Sequence, residues 1–191
     1  MFKTCIFGGA FDPIHLGHIK VANEACKRLC IDRFIWVPTF AFPHKTQSRT
    51  AYEHRLQMIQ LTLKKKGRHI VSDIESALPV PSYTINTFHA LKNKFGSKGK
   101  WYLLIGADNW KIFNTWYKWE TLMKEIQIII FPRENSLLKH VPDNIQILPV
   151  KTLKFTSTKI REQLKTNIPL ENTGVLPEIK DYILSNHLFG R

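Results

Sequence analysis

Between residues 8 and 18 the chain reads Gly8-Gly9-Ala10-Phe11-Asp12-Pro13-Ile14-His15-Leu16-Gly17-His18. A glycine pair followed by two imidazoles three residues apart is a set of groups suited to holding a phosphate. The glycines let a ligand approach the main chain with no Cβ between them. A helix beginning just after them aims its unbonded N–H groups at the same place, which favours an anion. A spacing of three puts both imidazoles on one side of the helix's first turn, and Gly17 keeps the space beside them open. The order of residues is neither G-x-G-x-x-G nor G-x-x-x-x-G-K-[ST], so the dinucleotide fingerprint and the P-loop both fail. Zinc ligation would want a third close ligand, and only a loose one is at hand.

Two further turns carry related chemistry. Thr156-Ser157-Thr158 can cap a helix and offer hydroxyl and N–H groups to an anion, while Arg161, one turn on, can fork onto phosphate oxygens. Ile105-Gly106-Ala107-Asp108 closes an apolar run with an acid able to accept from ribose hydroxyls. After it, Trp116-Tyr117 can stack on a flat ring, a contact worth roughly 1–3 kcal/mol per base in nucleic-acid systems. Trp110 and Trp119 read as core, and His69, His89, His140 and His187 as surface or packing residues.

These turns need strands and helices to position them. Short apolar runs at Lys3–Phe7, Phe34–Val37, His69–Val71, Trp101–Ile105, Ile126–Phe131 and Ile145–Leu148 read as strands. Helical periodicity covers Gly17 to about Cys30, Thr50 to about Lys65, Tyr83–Phe95, Trp116–Lys124, a stretch from Thr156, and Pro177 to about Asn186. Thr50 is an expected N-cap, with Glu53 completing a capping box. Near-continuous apolar strands alternating with amphipathic helices predict a doubly wound α/β fold around a parallel sheet, with ligands beyond the carboxyl ends of the strands. The length fits a single domain, residues 1–191, whose C-terminal helical part begins at about 156.

Composition bounds the rest. Across 191 residues, 28 Lys+Arg face 15 Asp+Glu, a formal charge of +13, and 43% of the chain is hydrophobic, too much for a disordered basic tail. Three cysteines cannot build a disulfide framework. Cys26 and Cys30, four apart on a helix, read as small core residues in a reducing compartment. The N-terminal apolar run is cut at once by Gly8-Gly9 and is no signal peptide, and the longest apolar stretch is too short to span a bilayer. The expected setting is the cytoplasm. The basic groups at Lys64–Lys66 with Arg68, at Lys92, Lys94, Lys98 and Lys100, and at Lys151, Lys154, Lys159, Arg161 and Lys165 fit either solvated surface or an anionic ligand.

Gly8 to His18 resembles the GG-x-F-D-P-x-H-x-G-H signature of the bacterial nicotinate-nucleotide adenylyltransferases, in the H-x-G-H nucleotidylyltransferase superfamily with its Rossmann-like fold. Along the chain, Pro43-His44-Lys45 resembles P-P-H-K, and His54-Arg55-Leu56-Gln57-Met58 resembles H-R-x-x-M. Pro81-Ser82-Tyr83-Thr84 matches P-S-Y-T, and Ile105-Gly106-Ala107-Asp108 with Thr115-Trp116-Tyr117 matches I-G-x-D followed by T-W-Y. Phe155-Thr156-Ser157-Thr158-Lys159-Ile160-Arg161 is similar to I-S-S-T-x-I-R. The resemblance implies transfer of the adenylyl group of ATP to nicotinate mononucleotide, giving nicotinate adenine dinucleotide and pyrophosphate, with Mg²⁺ carried on ATP. It gives His15, His18, Lys45 and Arg161 catalytic roles. For ATP it implies Gly8, Gly9, Phe11 and His18 from the first turn, Ile105, Gly106 and Asp108 from the second, and Ser157, Thr158 and Arg161 from the third. The mononucleotide would meet Lys45, Thr84, Asp108, Trp116 and Tyr117. Trp116 would lie on the pyridine ring, and the main chain of Thr84 and Tyr117 would meet its carboxylate.

Two positions depart from the pattern. Ala10 stands where Thr or Ser is usual, which removes a hydroxyl, and Phe42 stands in place of the loop's first proline, which is expected to loosen the loop carrying Lys45. Nicotinamide mononucleotide is the alternative acceptor, whereas P-S-Y-T and T-W-Y argue against phosphopantetheine. From another class, a basic nucleic-acid-binding module would bind with steep salt dependence, but it leaves the His15/His18 turn without a purpose. A homo-oligomer is compatible with the sequence.

Overall fold

The computed structural model describes residues 1–43, 50–64, 66–132, 141–142, 145–150, 155–166, 169 and 173–190. Six strands form one sheet: β1 (Lys3–Gly9), β2 (Arg33–Pro38), β3 (His69–Val71), β4 (Lys100–Gly106), β5 (Gln127–Phe131) and β6 (Gln146–Ile147). Their order is β3-β2-β1-β4-β5-β6, and every neighbouring pair is parallel. The helices are α1 (Leu16–Leu29), α2 (Tyr52–Leu63), α3 (Thr84–Phe95), α4 (Ala107–Trp110), α5 (Trp119–Glu125), α6 (Ser157–Leu164) and α7 (Pro177–Ser185).

Alternation along the central strands sorts the core into two layers. Cys5 and Phe7 of β1 face α1, α2, α6 and α7, with Phe34, Trp36, Met58, Ile59, Ile160 and Ile179 in the same layer. Ile6 faces the other way, onto Ile85, Phe88 and Leu91 of α3 and Leu122 of α5. Strands buried on both faces must be apolar at successive positions, which is why the runs lack a polar alternation. The chain from β1 proceeds to β2 and that from β4 to β5, in opposite directions across the sheet. The crevice between the carboxyl ends of β1 and β4 is therefore the topological switch point, where such sheets bind ligands.

The doubly wound fold is as expected, with differences at element ends. Helix α2 begins at Tyr52, and Ala51 precedes it with no side-chain cap. Thr50 is instead buried, and its carbonyl accepts from Arg55 Nε at 3.2 Å. Among the cysteines Cys5 and Cys26 are core, where burial pushes the Cys26 thiol up to about 11, but Cys30 is exposed at the left-handed C-cap of α1. No described helix is long and apolar enough to cross a membrane.

His69 is a packing residue with a specific task. Its Nδ1 accepts from the indole of the fully buried Trp36 at 3.0 Å, which ties β3 to β2. Burial first, then the charges of Lys66 and Arg68, lower its pKa from the usual 6.5 to about 4. The unfolded chain therefore binds the proton more readily, so this stabilisation is complete above about pH 6.5 and is lost as the pH falls through about 4. Urea midpoints should fall between pH 7 and pH 4, and the His69→Gln variant should show a smaller fall over that window. An equal fall in both chains would remove His69 as its source.

Candidate active site

The turn after β1 is built around two imidazoles that cap the helix they belong to. The Gly17 N–H donates to His15 Nδ1 at 3.0 Å, and the His15 N–H donates to His18 Nδ1 at 3.2 Å. Together they form a capping box at the start of α1 made of histidines rather than Ser and Glu. The rings lie 3.8 Å apart at 30°. An Nδ1 that accepts a backbone N–H carries no proton, so each neutral ring has its hydrogen on Nε2, the donor tautomer for an anion. Phe11 stands edge-on to His18 at 5.0 Å and Phe7 at 6.0 Å, which fixes the ring from behind. Gly17 is needed for the stack, since a Cβ there would lie 2.8 Å from His15 Cε1 and 2.9 Å from its Nδ1.

The start of α6 is drawn against the same turn. Ser157 Oγ donates to the Pro13 carbonyl at 3.1 Å, and Arg161 Nη1 donates to the Asp12 carbonyl at 2.6 Å. Arg161 Nη2 also donates to Thr158 Oγ1 at 3.3 Å, and Thr156 Oγ1 caps the helix by accepting the Lys159 N–H. The N-terminus of α6 thus lies against the turn that opens α1, with the Arg161 guanidinium bonded to that turn. The hydroxyl of Ser157 and the fork of Arg161, read from sequence as phosphate ligands, first serve to join α6 to this turn. What they add for an anion is position, the α6 amide end and a positive charge.

The structure refines several other expectations. Gly8 and Gly9 end β1 at the switch point, and among the described residues a Cβ on Gly8 would meet only the Val37 carbonyl, 4.0 Å away. Phe11 is 1% exposed, so a ligand could meet it only through its main chain, which is left-handed at φ 49°. Ile105 is likewise buried, with Gly106 beside it at the end of β4. Asp108 is exposed at the start of α4, next to that strand end. Trp116 rests on the buried Phe113 at 5.1 Å and, like Trp110 and Trp119, is partly buried, so packing does not set it apart from them. Thr84 opens α3, whose N-cap Tyr83 makes no side-chain bond and whose first turn has no acid. The rings of Tyr83 and Tyr117 meet at 4.5 Å, which joins the residue before Thr84 to Tyr117. Lys45 and His44 lie outside the described residues, as does His140. His89 is exposed against Glu125, and His187 is exposed.

Two buried charges beside the site have no counterpart among the sequence expectations. Arg55, 2% exposed, donates to the carbonyls of Ala10 at 2.8 Å, Thr39 at 2.9 Å and Thr50. Phe42, expected to loosen its loop, lies over this guanidinium at 5.6 Å. Glu75, 7% exposed, accepts from the Phe40 N–H and the Thr87 hydroxyl. One signal for Arg55 was available: it stands four residues before Ile59 and three before Met58, on the buried face of α2. Glu75 carries no comparable sign beyond its apolar neighbours Ile74 and Ala77.

The geometry agrees with what the chain resembles. The family model described as cytidylyltransferase-like matches residues 6–163. A Bacteroides fragilis protein described as "Probable nicotinate-nucleotide adenylyltransferase" is 37% identical, over 86% of this chain and 83% of its own. A Carboxydothermus hydrogenoformans protein of the same description is 33% identical over 98% of both chains. Among solved structures, the nicotinic acid mononucleotide adenylyltransferase of Plasmodium falciparum, complexed with NaAD, shares the fold with a TM-score of 0.82 at 20% identity, covering 99% of this chain and 98% of that one. With a glycine–histidine turn at the switch point and relatives of this identity along its length, the chain belongs to the cytidylyltransferase-like family and, within it, to the nicotinate-nucleotide adenylyltransferases.

Proposed function

We propose that the protein transfers the adenylyl group of ATP to nicotinate mononucleotide, releasing pyrophosphate. One observation carries this: two imidazoles whose Nδ1 atoms are occupied by backbone N–H groups, so that both are Nε2–H donors, stand on the turn that opens α1, against which the N-terminus of α6 lies. A 5′-phosphate oxygen of the mononucleotide attacks the α-phosphorus in line. The new P–O bond forms as the bond from the α-phosphorus to the bridging oxygen breaks, and that oxygen leaves with its electron pair on pyrophosphate. The attacking oxyanion needs no base, so the task is to align two anions and to stabilise the charge of the transferring group.

His18, backed by Phe7 and Phe11, is the donor to the α-phosphate region, with His15 beside it. The amide end of α6 and the charge of Arg161 receive the β- and γ-phosphates, and Lys45 bridges the two substrates. Asp108 accepts from ribose hydroxyls, while Trp116 and the Thr84–Tyr117 pair take the pyridine ring and its carboxylate. Mg²⁺ enters on the triphosphate as part of the substrate. Among the described residues there is no group of three or more His, Cys, Asp or Glu that could hold a metal ion.

Pyrophosphate release with ATP and Mg²⁺ should be strong with nicotinate mononucleotide and weak with nicotinamide mononucleotide. The opposite preference would keep the chemistry and replace the acceptor, and silence with both from folded protein would refute the proposal. His18→Ala should lower kcat about 100-fold, the scale of losing one preorganised donor, and unchanged turnover would remove His18 from the reaction. Gly17→Ala separates folding from geometry. Alanine is the better helix former by about 1 kcal/mol, which offsets the loss of the His15 cap bond, so the melting temperature should stay within a few degrees of the parent's. The His15 ring must shift, however, and kcat should fall about 10- to 100-fold. Full activity in that variant would show that the close stack is dispensable.

A further inference from the structure

The segment Thr39–Ala41, which leaves β2 toward the loop containing Lys45, is bonded on both sides. Toward the glycine turn, the Thr39 N–H donates to the Gly9 carbonyl at 2.9 Å, and Arg55 joins the Thr39 carbonyl to that of Ala10. The third arm of Arg55 holds the Thr50 carbonyl, so a single guanidinium bonds the main chain at residues 39 and 50. Toward α3, the Phe40 N–H donates to Glu75 Oε2 at 3.0 Å, and Thr87 of α3 donates to Glu75 Oε1 at 2.8 Å. Ala41 is bonded twice to Ser82: its N–H donates to Ser82 Oγ at 3.1 Å, and its carbonyl accepts the Ser82 N–H at 2.8 Å.

We propose that Arg55 and Glu75 are positioning residues that act as one device, setting the distance between the phosphate-binding turn and the acceptor-binding start of α3 through the Thr39–Ala41 segment. The inference rests on the adenylyl-transfer reading for both substrates, while the bonded path from the glycine turn to α3 stands on geometry alone. In-line transfer requires two substrates held in separate subsites to meet within a fraction of an ångström, and a shared rigid element between those subsites is the simplest way to fix that meeting. The bonding is costly unless it is complete, because both groups are buried. Burial opposes the charge of Arg55, and Asp12, Tyr52, Glu53 and Glu75 favour it. Burial raises the Glu75 pKa, while the Phe40 N–H, the hydroxyls of Thr87 and Ser82, and the charge of Arg55 favour its carboxylate. Neither side chain is offered to a substrate. Each spends its bonds on main chain that approaches one, or on the helix beside it.

The test uses the full chain with Arg55→Lys, Glu75→Gln and the double variant, each checked by circular dichroism and assayed well below its melting temperature. Lysine keeps the charge and loses the fork. Arg55→Lys should weaken binding of Mg-ATP, read by calorimetry without acceptor, and lower kcat, each by about tenfold, the equivalent of one lost bond of this kind. Glu75→Gln should raise the KM for the mononucleotide about fivefold while leaving that for ATP within about twofold. The double variant should lose less than the product of the single losses, as coupled residues do. Melting temperatures that fall while binding, kcat and both KM values stay at parental levels would overturn the proposal, as would strictly multiplicative losses. If Arg55→Lys fails to fold, the near-isosteric Glu75→Gln decides alone, and an unselective or absent change in KM refutes the device. If the parent proves inactive with either mononucleotide, the acceptor reading fails separately, and parental ATP affinity in folded Arg55→Lys, or an ATP affinity changed by more than about twofold in Glu75→Gln, would sink the positioning role too.

Discussion

The bonds from the main chain of His15 and Gly17 to two Nδ1 atoms constrain the site more than any other contact. The first N–H groups of a helix need partners, and at a ligand-binding helix they also need to stay close to the surface. Ser or Asp at the cap would satisfy them and add nothing further. Imidazoles satisfy them through one nitrogen and, in the same act, determine that the proton sits on the other. The local structure therefore sets the tautomer, and the tautomer sets the chemistry. A neutral Nε2–H donor gives a phosphate a directed hydrogen bond without bringing an acidic proton to it. The close approach of Gly17 to His15, and the wall of Phe7 and Phe11 behind His18, follow from holding the two rings in this stack.

The rest of the molecule holds the turn that bears those rings. Arg55 reaches it from α2 and takes the Ala10 carbonyl, and Arg161 reaches it from α6 and takes the Asp12 carbonyl. These arginines are 106 residues apart in sequence, yet they bond carbonyls two residues apart on either side of Phe11. A carbonyl-lined turn would otherwise expose acceptors to an incoming polyphosphate, which is the wrong polarity. Covering those acceptors with guanidinium donors removes the repulsion and leaves positive charge nearby. Phe11 completes the arrangement by sending its ring into the core, with its main chain in the left-handed region between the two bonded carbonyls.

Much of this was legible in residue order, for physical reasons that differ by region. The sheet and its helices are legible because strands covered on both faces are apolar throughout, so β1, β4 and β5 stand out against the amphipathic helices. The His15–His18 turn is legible because its helix cap depends on residue types at fixed short spacing. Arg55 is harder, because its hydrogen bonds go to backbone carbonyls, which leave no mark in a sequence, and Glu75 because its partners, the Phe40 N–H and the Thr87 hydroxyl, are distant in sequence. The Thr50 cap fails for the same reason: a threonine before a helix suits a cap, but its carbonyl is taken by Arg55 and the helix starts two residues later. At Phe42 the residue pattern speaks only of a missing proline, while the structure adds a guanidinium 5.6 Å from its ring.

Arg161 shows how the two kinds of information combine. Its type, near the start of a helix capped by threonine, suits phosphate oxygens, yet its two Nη atoms donate to Asp12 and Thr158. A guanidinium has five N–H donors and one delocalised charge, so bonding to protein does not remove it from a nearby phosphate. A fork anchored to protein at two points loses little further freedom when an anion arrives, and the side chain retains 21% of its exposure. Anchoring also links the start of α6 to the turn, so that the amide end of α6 is held against the turn that bears the histidine pair. An unanchored arginine on the same helix would carry the same charge, but it would neither fix the angle between the helices nor arrive already ordered. Position is the scarcer quantity here, in a protein whose net charge of +13 supplies cations in abundance.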